Sequence, residues 1–229
     1  MKFLLVVAHP ADEALGFGAT INRMKKMGHV VGICILCGNA EARNIKDPNV
    51  NIRDEIDRSC NMNGISNKYI AEFPNIMLNK TAHIELVQFI ENAILDFKPD
   101  VIITHHPSDT NNDHYHTSLA CQEALRINLR NNKEDSIQEL WYMEIQSSTD
   151  WSLNTAMCTF KPNLFIEISE YDLDNKILNL SCYSGTLHDV PHPRSKNAIF
   201  GLASFRGGQA GFRYAEAFEC VYRKLYLHD

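Results

Sequence analysis

The stretch VVAHPADEALGFGA, residues 6–19, decides the fold. The apolar run FLLVVA leads into a tight turn fixed by Pro10. A segment with Leu15, Ile21 and Met24 on helical spacing follows, and Gly28 fits its stop. Buried strand, polar turn and helix in that order open a parallel α/β unit.

The pattern repeats outward from there. VVGICILCG reads as a second buried strand, and VNIRDEIDRSCNMNGI as a helix closed by Gly64, with Ile52, Ile56 and Cys60 recurring every four residues. NKYIAEF is a short strand. TAHIELVQFIENAILDFKPD carries the strongest helical pattern, with Ile84, Val87, Ile90, Ala93 and Ile94 on one face and Pro99 as its stop. VIITHHP is a further strand, and HTSLACQEALRINLR the helix after it. Strand and helix thus alternate four times, which predicts an α/β fold with a Rossmann-like, mostly parallel sheet and helices on both faces. The C-terminal part is elaborated: ELWYMEIQSS and NLFIEIS read as strands, DLDNKILNLSCYSG as a helix and HDVPHPRSKNAIF as an irregular loop. With no repeat or linker in view, residues 1–229 are expected to form a single domain.

Composition excludes several classes. Hydrophobic residues make up 45% of the chain and charged ones 22%, ordinary for a globular protein. The net charge of −6 argues against nucleic acid as partner. No apolar run approaches the ~20 residues of a membrane span, and FLLVVA lacks the flanks of a signal peptide. Seven scattered cysteines suggest reduced thiols in a cytoplasmic protein. Cys34 and Cys37 form a C-x-x-C without a second pair, so strand residues are a better reading than a redox or zinc motif.

Ligands of parallel sheets bind beyond the carboxyl ends of the strands. Both AHPADE and THHPSDTNNDHYH fall there. His9 and Asp12 share the first turn; His105, His106, His114 and His116, with Asp109 and Asp113, crowd the second segment. Two nitrogens and one carboxylate around a metal, with one position left open, make a catalytic zinc arrangement, although such a set also accepts iron or cobalt. His105 and His106 read as strand-end scaffolding. Asp113 fits either a cap for a helix starting near His116 or a partner that orients a histidine. Gly16 and Gly18 in GFGATI fit G-x-G, but Ile21 stands where a third glycine belongs, and the adjacent carboxylates suit no pyrophosphate. Arg206, followed by two glycines, is either a substrate contact or a surface residue. His188 and His192 belong to a lid or a plain loop; Trp141, Tyr142 and Trp151 stack on a ligand or pack in the core.

These residues resemble the PIG-L (LmbE-like) zinc-dependent de-N-acetylase family. AHPADE is similar to its A-H-P-D-D-E signature, and HPSDTNNDH to a second motif ending in Asp-His. RDEIDRSCNMNGI resembles its Arg-containing helix and RGGQAGFRYAEAFE its C-terminal Tyr-Ala-Glu-x-Phe segment. The resemblance implies a hydrolase that removes an acetyl group from an N-acetylated amino sugar or its conjugate. It implies Zn2+ held by His9, Asp12 and His114, with Asp113 tuning a neighbouring histidine and Arg53 contacting sugar hydroxyls. Asn111 stands where the family commonly has an oxyanion-stabilising His. Ala11 stands where the family has its general-base Asp, and a methyl group takes up no proton. Three accounts follow: an Asp→Ala variant that binds substrate with little turnover, a zinc-containing sugar-binding protein, or an enzyme whose base is Glu13 or Asp109. An amidase acting on a sugar–thiol conjugate is a further possibility within the family. An exposed apolar C-terminal region is compatible with a homo-oligomer.

Overall fold

The computed structural model describes residues 1–39, 51–131, 137–152 and 159–225. Seven strands form one mixed sheet: β1 (Lys2–Val7), β2 (Val30–Ile35), β3 (Asn67–Ile70), β4 (Val101–His105), β5 (Glu139–Met143), β6 (Leu164–Glu167) and β7 (Ala215–Arg223). Their order is β3-β2-β1-β4-β5-β7-β6. The first five strands are parallel, and β7 runs antiparallel between β5 and β6. Six helices complete the α/β fold: α1 (Asp12–Lys26), α2 (Ile52–Asn63), α3 (His83–Phe97), α4 (Asn112–Asn131), α5 (Glu170–Leu180) and α6 (Lys196–Ala210).

Alternation along β1 divides the core. Phe3, Leu5 and Val7 face a cluster that includes Leu15, Phe17 and Ile21 of α1, Ile56 of α2 and Leu173 of α5. Leu4 and Val6 face the opposite cluster, with Val87, Ile90 and Ile94 of α3 and Ala120, Cys121 and Ala124 of α4. A strand buried on both faces must be apolar at every position, which is why FLLVV shows no polar alternation.

The strand order reverses between β1 and β4: one crossover leaves β1 toward β2 and β3, the other leaves β4 toward β5. The crevice at such a switch point is where open α/β sheets bind ligands. The loops after β1 and β4 carry the two His-rich segments to that crevice.

Gly16 and Gly18 of α1 serve packing. A Cβ on Gly16 would lie 2.4 Å from Met143 Sδ, and one on Gly18 3.0 Å from Lys176 Cγ. Lys176 can therefore cross α1 and donate to the Leu15 carbonyl at 2.6 Å and to Glu216 Oε1 at 2.6 Å. The Glu216 carboxylate in turn accepts from the amides of Ala19 (3.2 Å) and Thr20 (2.7 Å). This buried ion pair fastens α1 to α5 and β7.

Three expectations need correction. Helix α4 begins at Asn112, four residues before His116, because Asn111 Oδ1 accepts from the amides of Asp113 (2.9 Å) and His114 (3.4 Å). The segment from Lys196 is helical, Ser195 capping it through the Ala198 amide. Ile84 is 56% exposed and the face of α3 is completed by Leu86 and Phe97 instead. The expected start of the second helix at Val50 lies outside the described residues; α2 itself ends at Gly64 in the left-handed conformation, φ 65°.

Candidate metal centre

Three donor atoms meet at the switch point. His9 Nδ1, Asp12 Oδ2 and His114 Nε2 form a triangle in which each edge is 3.2 Å. Ligands of a tetrahedral metal at 2.0–2.1 Å stand roughly 3.3–3.4 Å apart, so this triangle fits one face of such a tetrahedron. The set is one of the groups among the described residues whose geometry could hold a metal ion.

Each histidine is braced from behind. His9 Nε2 donates to Asp113 Oδ2 at 3.0 Å, and His114 Nδ1 to Asp109 Oδ2 at 3.0 Å. A carboxylate on the far nitrogen fixes the tautomer and turns the near lone pair toward the metal position. Asp113 is therefore a histidine partner, not a helix cap. The Asp109 carboxylate is further held by Ser148 Oγ, by Thr149 Oγ1 at 2.7 Å and by the Asn111 amide at 2.8 Å. Ser148 and Thr149 follow β5, a third strand end converging on the site. His105, fully buried, stacks on His114 at 3.9 Å and accepts from the Ala8 amide through Nε2. It is scaffold, as expected.

Electrostatics follow from this crowding. Burial lowers the affinity of His114 for a proton, but the Asp12 and Asp109 carboxylates outweigh it and raise its pKa to about 10. Burial works against the Asp12 charge as well, yet His114 and His9 hold its pKa well below the usual value. Burial, with His114 beside it, drops His105 to about 3, so that ring is neutral. In the metal-free protein a proton on His114 thus offsets the Asp12 charge.

Ala11 is buried at the N-terminus of α1, with φ 84° and ψ −18°. The left-handed region is unfavourable for Ala and is visited far more readily by Asp and Asn.

The sequence model described as GlcNAc-PI de-N-acetylase, PIG-L, matches residues 4–125, over half of the chain. The chain belongs to the PIG-L family. A conserved protein of Thermus thermophilus superposes with a TM-score of 0.77 at 23% identity, over 98% of this PIG-L chain and 96% of the other. The N,N'-diacetylchitobiose deacetylase of Pyrococcus horikoshii gives 0.73 at 19%, over 96% and 84%. The 4-carboxy-2-hydroxymuconate hydratase of Pseudomonas putida gives 0.76 at 18%, over 100% and 99%. At these identities the likeness establishes the fold.

The other expected PIG-L site residues are placed as follows. Asn111 uses its Oδ1 to cap α4, leaving Nδ2 as the donating end of the amide. Arg53, near the ends of β2 and β3, donates to Glu72 Oε1 at 2.8 Å. Arg206 is held away from the donor triangle: it makes a bidentate pair with Glu144 at 2.7 and 2.6 Å. That pair lines a cleft of about 320 Å³ with Leu15, Lys176 and Ile199, to which none of the three donor residues contributes. Trp141 and Tyr142 are core residues, whereas Trp151 is 57% exposed. No helix among the described residues is long and apolar enough to cross a membrane.

Sequence reasoning missed Ser148 and Thr149, whose only signal was their place after a strand. It also missed Cys37, whose thiol lies 3.9 Å from Asp113 Oδ2.

Proposed function

We propose that the site is that of a metal-dependent hydrolase for N-acetylated amino sugars or their conjugates, and that Ala11 leaves this chain able to bind such substrates with little turnover. The observation that carries the reading is the 3.2 Å donor triangle backed by two carboxylates, in a PIG-L chain. Zn2+ on these donors would supply Lewis acidity at the amide carbonyl and acidify water. His9 and His114 present the nitrogens; Asp113 and Asp109 keep them turned inward. Arg53, with Glu72, offers hydrogen bonds to sugar hydroxyls, and Asn111 Nδ2 a donor to the oxygen that gains charge as the amide is attacked. Arg206 is assigned no substrate contact in this reading, because Glu144 occupies its fork.

A carboxylate at position 11 would take the proton from the attacking water and return it to the leaving amine. Neither candidate substitute is free for that task. Glu13 Oε1 accepts from Tyr183 at 2.5 Å and Ser59 at 3.2 Å, and Asp109 is committed to His114, Ser148 and Thr149. The left-handed backbone at Ala11 favours descent from an Asp-bearing site. The binding-only reading draws on the same methyl group.

The test is acetate release from N-acetylated amino sugars by the zinc-loaded chain and its Ala11→Asp variant. Restored base catalysis is expected to raise the rate by about 10²–10⁴-fold. A metal-loaded Ala11→Asp protein as inert as its parent would overturn the hydrolase reading in favour of the binder.

A further inference from the structure

Ile76 adopts φ 63°, a conformation in which a β-branched residue is a genuine outlier. No burial accounts for it, since the residue is 63% exposed and its neighbour Met77 47% exposed. Two hydrogen bonds hold the turn in place. The Ile76 amide donates to Asp113 Oδ2 at 2.5 Å and the Leu78 amide to Asp113 Oδ1 at 3.1 Å. The same Oδ2 accepts from His9 Nε2 at 3.0 Å, so one carboxylate ties the strained turn to a member of the donor triangle. A few residues earlier in this segment, Glu72 pairs with Arg53. Residues 72–77 thus bring a polar pair suited to hydroxyls, then two exposed apolar side chains, alongside the site. Strain that the surroundings hold in this way clusters at ligand clamps.

We propose that Ile76 and Met77 form an apolar contact for the non-sugar end of the substrate, and so favour acetylated amino sugars that carry an apolar aglycone. The inference rests on the reading of the site as one for N-acetylated amino sugars. With the acetamido group at the donor triangle and hydroxyls at Arg53 and Glu72, the substituent of the sugar meets Ile76 and Met77 next.

The experiment is calorimetric titration of the zinc-loaded full chain with the methyl and hexyl glycosides of N-acetylglucosamine, for which Ala11 is an advantage because turnover is slow. The hexyl glycoside is expected to bind roughly tenfold tighter, the effect of burying about two methylenes. In the double variant Ile76→Ser, Met77→Ser the ratio falls to near one through loss of hexyl affinity. Ile76→Gly relieves the backbone and raises Tm while lowering the ratio. A rise in Tm with the ratio unchanged would identify a purely structural turn and overturn the proposal. Equal affinities in the parent overturn it too, leaving the deacetylase reading intact; binding of neither glycoside overturns both.

Discussion

Replacing Glu13 by Gln isolates a carboxyl that the fold buries directly behind a proposed metal ligand. Glu13 is 1% exposed, and its Oε2 has no hydrogen-bond partner. Burial raises its pKa from 4.5 to about 7, against the opposing hydrogen bond from Tyr183. Because the folded-state value lies above the unfolded one, its contribution to stability is complete below about pH 4.5 and is lost as pH rises through about 7. At about 1.4 kcal/mol per pH unit, most of that difference falls between pH 5 and 8 and amounts to roughly 2–3 kcal/mol. Gln keeps an oxygen for Tyr183 and Ser59 and cannot ionise. Urea unfolding of the zinc-loaded parent and Glu13→Gln should therefore show the variant gaining on the parent by that amount from pH 5 to 8. A stability difference independent of pH would refute the argument and return Glu13 to consideration as an ionised base.

Other expectations can be checked directly. Thr149→Val removes one of the hydroxyls that hold Asp109 behind His114, and zinc affinity by competition with a chelator should fall about 10–100-fold. Since His114 titrates near 10 without metal, zinc binding at neutral pH should displace close to one proton from it; calorimetry in buffers of different ionisation enthalpy reads that number, and zero would contradict the geometry. Lys176→Met leaves the Glu216 carboxylate buried beside α1 and should cost about 3–5 kcal/mol in denaturant unfolding, with the Lys176→Met, Glu216→Leu pair recovering part of it.

The strand–helix alternation of the first half was legible because burial on both faces leaves an unmistakable apolar run, and the switch-point crevice followed from it. Position along strand ends then singled out His9, Asp12 and the His-rich second loop. Helix α6 was obscured by its own composition: Gly201, Gly207 and Gly208 weaken the pattern, and only Ile199, Ala203 and Gly207 are buried. Gly207 is required because a Cβ there would lie 2.7 Å from the Phe212 carbonyl oxygen. The start of α4 was misread because polar residues, Asp113 and His114, are the buried ones in its first turn. Contacts across the sheet, such as Ser148 and Thr149 on Asp109, have no local signature at all. The destination of Arg206 likewise depends on Glu144, 62 positions away.

The ion pair that fastens α1 has a bearing on vectorial synthesis. All three proposed metal donors have left the ribosome by residue 114, yet the helix that begins with one of them is secured by Lys176 and Glu216. At roughly 5–20 residues per second, the last clasp arrives some 5–20 s after the last donor. A nascent chain of that length offers a cation its full complement of donor side chains on a helix whose final moorings have yet to be translated.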